Sequence, residues 1–280
     1  MTLCGVLYGH GRMGRMHASK LLARGDVRLA IIDPRLGLSP PPAKPPDFAV
    51  IATPTASHAS VAMPLLSSGI PCLIEKPLAP SLALAEALAQ HPHLAVGHIE
   101  RFNPVLRALD GFELEFLQIE RLADAPSRQP DIDVIDDLMI HDLDLLLHRV
   151  SAEVLDVRAK GMSMSGGPLD MVSARVELRL ASGRTAVANV TASRLSTATV
   201  RTWRAFAQGH YWSLDLHQRS GLHTPWGKPT VAVEVPEVDP LEAEHDAFLR
   251  AIREGTAFPC SGHDGLMAMQ LADEIRRCLV

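Results

Sequence analysis

The sequence predicts a two-domain protein, in which an α/β domain with a parallel sheet precedes an α+β domain with a largely antiparallel, open-faced sheet. Two observations lead to this prediction. Residues 1–104 alternate short apolar runs with helical patterns, which is the rhythm of βαβ units. From about Asp110 the chain changes to long alternating runs separated by Gly- and Ser-containing turns, which is typical of antiparallel strands. We expect the first domain over residues 1–104 and the second over residues 105–280.

The first domain begins with the apolar run LCGVLY, which RMGRMHASKLLARG follows with helical spacing. Further strands are predicted in VRLAIID, FAVIAT, PCLIE and LAVGHI, with helices in HASVAMPLLSSG and SLALAEALAQ. Ser81 is placed to cap the last of these helices. Between Asp33 and Phe48 the segment PRLGLSPPPAKPPD is too short and too rich in proline for another helix and strand. One αβ unit of a doubly wound sheet is therefore missing, and we expect an extended linker instead.

Long strands are predicted in the second domain, in FELEFLQIERL, EVLDVRAKGM, MVSARVELRL, RTAVANVTASR, TVRTWRAFAQ and YWSLDLH. Helices are expected near residues 134–149, 240–254 and 264–279. Because so few helices cannot cover both faces of such a sheet, we expect an exposed apolar face. We also expect a homodimer or homotetramer joined through that face.

Composition limits the classes of function. The 280 residues include 27 basic and 32 acidic side chains, and no long basic run, so nucleic acid is not an expected partner. The four cysteines lack metal-ligand spacing, which predicts reduced thiols and no metal site. The sequence has neither a secretion signal nor the roughly 18 uninterrupted apolar residues of a membrane span. We expect a cytoplasmic protein that does not bind a membrane.

The segment GHGRMG places Gly9, Gly11 and Gly14 in G-x-G-x-x-G spacing, directly after a predicted strand and at the start of a predicted helix. These glycines allow a tight turn, a close approach of a pyrophosphate and close packing of helix on strand. Asp33 ends the next strand, where its carboxylate can accept hydrogen bonds from both ribose hydroxyls. The pattern predicts a Rossmann-type domain that binds NAD. Arg35 could pair with a 2′-phosphate, which leaves NADP as the alternative cofactor.

Two further motifs, IATPTASH and IEKP, end where the carboxyl edge of the parallel sheet should lie, and ligands bind at that edge. Lys76, stiffened by the proline after it, can hold an ammonium near a substrate hydroxyl, although an ordinary solvated lysine is the alternative. With the glycine loop, these motifs supply the predicted cofactor-binding residues: Gly9, His10, Gly11, Arg12, Met13, Gly14, Asp33, Thr53, Pro54, His58, Glu75 and Lys76.

The segment DDLMIHDLDLLL places a histidine among acids in an apolar run. On a helical wheel Asp137, His141, Asp144 and His148 share one arc, and apolar residues occupy the other side. Taken alone, this periodicity favours a helix with a solvated polar face. An imidazole within one turn of a carboxylate is also suited to act as a general base with an orienting partner, so catalysis by His141 is the other interpretation.

Together, GHGRMGRMH, ATPTASH, EKPLA, GHIERFNP and DLMIHDLD resemble the glucose-fructose oxidoreductase, inositol dehydrogenase and MocA family of NAD(P)-dependent sugar oxidoreductases. The resemblance covers nearly the whole chain. In that family the lysine of EKP and a D-x-x-x-H pair form the active site, which implies catalytic roles for Lys76, Asp137 and His141. The missing αβ unit departs from the family pattern, and we expect it to alter the adenine pocket.

The segments GHIERFNP and DVIDDLMIHDLD are similar, more narrowly, to UDP-N-acetylglucosamine 3-dehydrogenases that serve lipid A variants with 2,3-diamino-glucose. That resemblance implies oxidation of a secondary ring hydroxyl of a nucleotide sugar, followed by a PLP aminotransferase. The alternatives are an inositol or free-sugar dehydrogenase and a non-catalytic dinucleotide-sensing protein. The implied substrate-binding residues are Lys76, Arg101, Asn103, Arg128 and His141. Arg128 is expected to meet the diphosphate, with Arg194, Arg201 and Arg204 as weaker candidates.

Overall fold

The computed structural model describes residues 2–38, 44–124, 132–150, 153–164 and 166–279. The chain divides into two compact units, of which the first comprises Met1–Phe102 and Asp239–Met269 and the second Asn103–Val238 and Gln270–Val280. The predicted division has a single boundary at residue 104. In the structure, by contrast, the segment Asp239–Met269 returns to the first unit.

Helices and strands occur in both units. The described helices are α1 (Arg12–Leu22), α2 (His58–Ser67), α3 (Leu82–Ala89), α4 (Ile140–Val150), α5 (Pro240–Glu254) and α6 (Gly262–Arg277). The strands of the first unit are β1 (Leu3–Tyr8), β2 (Val27–Ile32), β3 (Phe48–Ile51), β4 (Cys72–Glu75) and β5 (Leu94–Gly97). Those of the second are β6 (Phe116–Asp124), β7 (Glu153–Met162), β8 (Met171–Arg179), β9 (Thr185–Ser193), β10 (Leu195–Ala207), β11 (His210–Asp215), β12 (Ser220–Pro225) and β13 (Val231–Ala232).

The sheet of the first unit is parallel, with the strand order β2-β1-β3-β4-β5. This confirms the predicted parallel sheet, including its shortening. A 3-10 turn over Pro34–Leu36 is the only regular element of the described residues between β2 and β3, so β2 forms the edge of the sheet. The Ser81 cap is also confirmed, because its side chain accepts a hydrogen bond from the backbone N–H of Leu84.

The core of the first unit explains why α5 belongs to it. Phe248 of α5 is 2% exposed and packs edge-on against Phe48 of β3, with ring centroids 6.0 Å apart. Gly5 of β1 makes room for this pair, since a Cβ at that position would lie 2.2 Å from the Phe48 ring. Burying an aromatic side chain stabilises a domain by roughly 1.5–3 kcal/mol, which favours keeping α5 with this sheet.

The second unit is built on an eight-stranded sheet with the order β13-β12-β11-β10-β6-β9-β8-β7. All neighbouring pairs are antiparallel except β6 and β9, which run parallel. The predicted largely antiparallel sheet is therefore confirmed. The two short strands β12 and β13 were not predicted, because SGLHTP and VA lack a run of alternating apolar residues.

The outward face of this sheet is polar rather than apolar along β8. Along this strand buried residues alternate with more exposed ones, and the outward side chains include Ser173, Arg175, Glu177 and Arg179. The expectation of an exposed apolar face is therefore wrong for β8. The aromatic residues that face outward cluster at one end, where the rings of Phe206 and its neighbours lie 4.8–5.8 Å apart.

Helix α4 packs on this sheet through a buried ion pair. Asp142 is 1% exposed and accepts hydrogen bonds from Arg121 Nε of β6 at 2.6 Å and from Trp203 Nε1 of β10 at 3.0 Å. Asp144, one turn away from His141, is also only 1% exposed. The predicted solvated face is therefore wrong at Asp144, because α4 is covered on more sides than its periodicity indicates.

Two general properties follow from the described part of the chain. None of its helices combines the length and apolar character needed to cross a membrane. Nor do the described residues contain a group of three or more His, Cys, Asp or Glu side chains arranged to hold a metal ion.

We expect Asp142→Asn to lower the free energy of unfolding of the second unit by about 3–5 kcal/mol, because it leaves the Arg121 guanidinium buried without its counter-charge. All three tryptophans of the chain (Trp203, Trp212 and Trp226) lie in this unit, so urea unfolding followed by tryptophan fluorescence reports on it specifically. Asp156→Asn removes the same charge from an exposed pair and should change stability by less than about 0.5 kcal/mol. Equal midpoints for both variants would show that the buried pair does not hold the helix.

Candidate active site

The glycine loop after β1 has the backbone geometry that a dinucleotide requires. Gly9 has φ +87°, and a Cβ there would lie 2.7 Å from the Ala52 carbonyl oxygen. A Cβ at Gly14 would lie 2.0 Å from the Gly9 carbonyl oxygen, so α1 can approach the loop only with glycine at this position. Beside Gly11, in contrast, no heavy atom of the described chain lies within 4 Å of where a Cβ would be. That open space is where a phosphate can approach the backbone.

Helix α1 begins immediately after this space. Gly11 is its N-cap residue and provides no capping side chain, and its first turn contains no acid. The N–H groups of a helix start that has no side-chain cap form a ready site for an anion. Among the other loop residues, Arg12 is exposed and Met13 is half-buried.

Asp33 lies at the end of β2 and is 3% exposed. Its carboxylate accepts a hydrogen bond from the backbone N–H of His10 at 2.8 Å and another from that of Arg35 at 3.1 Å. The hydrogen bond from His10 is the main reason why the pKa of Asp33 lies below its ordinary value. Asp33 is therefore an ionised acceptor tied directly to the glycine loop.

In the motif after β3, the side chain of Thr53 is available to a ligand, whereas the side chain of His58 contacts the protein. The hydroxyl of Thr53 is buried and has no hydrogen-bond partner among the described residues. His58 is 1% exposed, and its ring nitrogens face the carbonyl oxygens of Thr53 at 2.9 Å and of Pro77 at 3.1 Å. Burial lowers the pKa of His58, and the neutral ring, which has one N–H, donates to only one of these two carbonyl oxygens. Pro54, between them, is exposed.

Glu75 and Lys76 end β4. Glu75 is 8% exposed and accepts a hydrogen bond from His17 Nε2 at 2.8 Å, whereas Lys76 is half-buried. Glu75 thus has a contact within the unit, in addition to the predicted contact with the cofactor. The residues at the ends of β1 to β3 fit a dinucleotide: the glycine loop for the pyrophosphate, Asp33 for the ribose and Thr53 as a further hydrogen-bonding group.

In the second unit, a π turn over Ile135–Met139 precedes α4 and carries Asp137. Asp133 caps this turn, because its carboxylate accepts hydrogen bonds from the backbone N–H groups of Ile135 and Asp136, each at 3.0 Å. Arg276 of α6 in turn donates to Asp133 Oδ2 at 2.9 Å. Although burial alone would raise the pKa of Asp133, this guanidinium holds it below its ordinary value. π turns inside helices are frequent at functional sites.

Asp137 and His141 are both half-buried, and the backbone N–H of Asp137 donates to the Asp133 carbonyl oxygen at 3.1 Å. Asp137 and His141 belong to the second unit and Lys76 to the first. Arg194 is 5% exposed and donates to the carbonyl oxygen of Ile132, just before this turn, at 2.6 Å.

The other predicted substrate residues have contacts of their own. The guanidinium of Arg101 donates to the Pro259 carbonyl oxygen at 3.1 Å and pairs with Asp264 at 3.3 Å. The buried Asn103 donates to the Leu216 carbonyl oxygen at 2.9 Å. These contacts account for both side chains without a substrate, and we therefore leave Arg101 and Asn103 out of the proposed substrate site. Arg128 lies outside the described residues.

Several supporting residues escaped the sequence analysis. Asp142 lies inside the quoted motif but was given no role there, while Arg121 and Arg276 carry no local signal of their partners. His17 lies three residues beyond the glycine motif, and the positions that it pairs with are 58 and 228 residues away.

The comparisons with known proteins agree with this geometry. Residues 38–93 match the sequence profile of the oxidoreductase family with an NAD-binding Rossmann fold. The chain is 37% identical to the UDP-N-acetylglucosamine 3-dehydrogenase of Acidithiobacillus ferrooxidans, over 96% of this chain and 94% of that protein. A solved structure of this enzyme superposes with a TM-score of 0.89 at 34% identity, covering 100% of this chain and 98% of that one.

A relative with another substrate in its name is more distant. The inositol 2-dehydrogenase of Rhizobium meliloti is 26% identical over 98% of this chain and 96% of that protein. The chain therefore belongs to the glucose-fructose oxidoreductase, inositol dehydrogenase and MocA family of oxidoreductases, which have an NAD-binding Rossmann fold.

Proposed function

We propose that the protein uses NAD to oxidise the C3 hydroxyl of UDP-N-acetylglucosamine to a ketone. The observation that carries the proposal is the similarity to a UDP-N-acetylglucosamine 3-dehydrogenase, which extends over both units at 37% identity across 96% of the chain. The alternative substrate is an inositol, since relatives with that activity in their names are 26–33% identical over 41–98% of this chain.

In the proposed mechanism, His141 accepts the proton of the sugar hydroxyl. Asp137, one helical turn earlier, orients the imidazole, and the Lys76 ammonium stabilises the negative charge that develops on the oxygen. NAD, when bound, supplies the acceptor for the hydride. Support for combining these residues comes from the family's active-site motif, whose lysine and D-x-x-x-H pair match Lys76, Asp137 and His141.

The ionised Asp33 supports NAD over NADP, because a 2′-phosphate would meet like charge at this position. Arg35 is the residue that could offset that repulsion, and its guanidinium lies 3.6 Å from the Asp33 carboxylate. The ketone product is a substrate for transamination, so a PLP aminotransferase is the proposed next enzyme. The non-catalytic, dinucleotide-sensing role is disfavoured because Lys76, Asp137 and His141 are all present.

We expect His141→Asn to lower kcat by about 10²–10⁴-fold while leaving NAD affinity nearly unchanged, because general base catalysis contributes a factor of that size. Turnover is followed as nicotinamide reduction with UDP-N-acetylglucosamine, and NAD binding by titration calorimetry. His148→Asn is the matched control, since it makes the same change on the exposed side of the same helix. Wild-type turnover in His141→Asn would remove this residue from the mechanism.

We expect Arg128→Ala to raise KM for the nucleotide sugar by about tenfold or more, as the loss of a charge-assisted hydrogen bond to the diphosphate implies. The control Arg158→Ala changes an exposed arginine of β7 and should leave KM unaltered. A wild-type enzyme that prefers an inositol or a free sugar would refute the UDP-sugar assignment itself, whereas an unchanged KM in Arg128→Ala would refute only this anchor.

For assembly, we propose a homodimer or homotetramer joined through the polar face of the eight-stranded sheet. Arg175 and Glu177 lie on the same side of β8, so one copy of this face offers both charges to another. Light scattering at micromolar concentration should give a mass at least twice that of the 30.3 kDa chain. Arg175→Glu should lower that mass, and a wild-type monomer would contradict the proposal.

A further inference from the structure

Four ionisable side chains are buried together in the first unit, and one of them, Glu75, immediately precedes Lys76. His17 of α1, Glu75 of β4, and Glu244 and His245 of α5 are each at most 8% exposed. His17 connects two of the others, because its Nε2 lies 2.8 Å from Glu75 Oε1 and its Nδ1 lies 2.8 Å from His245 Nε2. A hydrogen bond thus joins His17, three residues after the glycine motif, to Glu75 of the EKP motif, and neither motif predicts it.

The chemistry of these groups determines which of them donates each hydrogen bond. An ionised carboxylate can only accept, so the Nε2–H of His17 donates to Glu75 whether or not His17 is protonated. A neutral His17 then accepts at Nδ1 from the Nε2–H of His245. Burial lowers the pKa of His245 to about 3, so this second imidazole is neutral. The two histidines therefore place a hydrogen-bond donor, the Nε2–H of His17, against the Glu75 carboxylate.

The two acids of the cluster cannot both be ionised at low cost. The carboxyl oxygens of Glu244 have no hydrogen-bond partner among the described residues, and burial, together with the charge of Glu75, raises its pKa well above the ordinary value. Burial acts in the same direction on Glu75, but the hydrogen bond from His17, together with the charge of Lys76, brings its pKa below the ordinary value. Glu75 therefore carries the negative charge and Glu244 carries a proton.

The ionisable groups that face Glu75 come from every element packed around it. They are His17 from α1, His58 from α2, Lys76 directly after its own strand, and Glu244 from α5. His58 is buried with a lowered pKa and Glu244 is protonated, so neither carries a charge near neutral pH. Lys76, the next residue in the chain, is then a cation whose charge favours the ionised form of Glu75.

We propose that His17 is a positioning residue for Lys76: by donating to Glu75 it keeps a negative charge buried next to this lysine and so holds the lysine as an ammonium. The inference rests on the proposed function for its purpose, since an ammonium is the form that stabilises an alkoxide. The charge state itself is a property of the protein without substrate.

The test measures that charge state directly. Acetylation of the purified protein across a range of pH, followed by peptide mass spectrometry, reports the midpoint at which Lys76 becomes reactive. In His17→Leu and in Glu75→Gln we expect this midpoint to fall by about one pH unit or more, because Lys76 loses its buried counter-charge. Lys20, which pairs with Glu242 and Asp239 on α5, is labelled in the same sample and should not shift.

Two further variants separate this role from a merely structural one. His245→Leu leaves the donor to Glu75 in place, and its Lys76 midpoint should stay at the wild-type value. His17→Gln keeps an N–H donor and should restore the midpoint partly if His17→Leu proves unstable. A wild-type midpoint in Glu75→Gln, or in a folded His17→Leu, overturns the inference.

Kinetics then distinguish failure of this inference from failure of the proposed function. If Lys76 sets the alkaline limb of the kcat/KM profile, Lys76→Arg should abolish that limb, since a guanidinium stays charged. His17→Leu should move the same limb to lower pH. A limb unaffected by Lys76→Arg would refute the catalytic role of Lys76 while the labelling result stands. A limb abolished by Lys76→Arg but unmoved by His17→Leu would refute the positioning role alone.

Discussion

Burial of an acid beside each reactive residue is the constraint on which both units depend. Glu75 immediately precedes Lys76, and Asp142 immediately follows His141. Both acids are at most 8% exposed and both are hydrogen-bonded to buried donors. Because a buried charge without a partner costs several kcal/mol, these hydrogen bonds determine where the adjacent backbone lies. Neighbouring side chains point in different directions, so each acid anchors its segment inward and leaves the reactive side chain half-buried.

Separate hydrogen bonds hold the start and the middle of α4. Asp133 accepts two backbone N–H groups of the π turn and one hydrogen bond from Arg276, a residue near the end of the chain. The turn that carries Asp137 is thereby tied to α6, while Asp142 ties the following turn to the sheet. Two anchors on successive turns restrict both the position and the rotation of the helix. The proposed general base and its orienting acid would need such anchors in order to keep one geometry.

The first unit shows how the fold tolerates the loss of an αβ unit after β2. The absent strand would have extended the sheet beyond β2, and β2 is the edge strand instead. Asp33 does not depend on the absent element, since its carboxylate is held by backbone N–H groups of the glycine loop and of its own turn. The residues proposed for the pyrophosphate and the ribose therefore persist, and we expect the loss to affect the side of the site that would surround the adenine.

By itself, the sequence determined the parallel and antiparallel sheets, the glycine loop and the motifs that match the family, because these depend on spacings of two to five residues. Tertiary structure decided what the local pattern could not. Asp144 lies on what periodicity indicates to be a solvated face, yet it is only 1% exposed. His17 and His245 are 228 residues apart in sequence and hydrogen-bonded in space. The physical reason is that a periodic pattern reports which side chains share a face, whereas the charge and burial of each one depend on elements that arrive from distant parts of the chain.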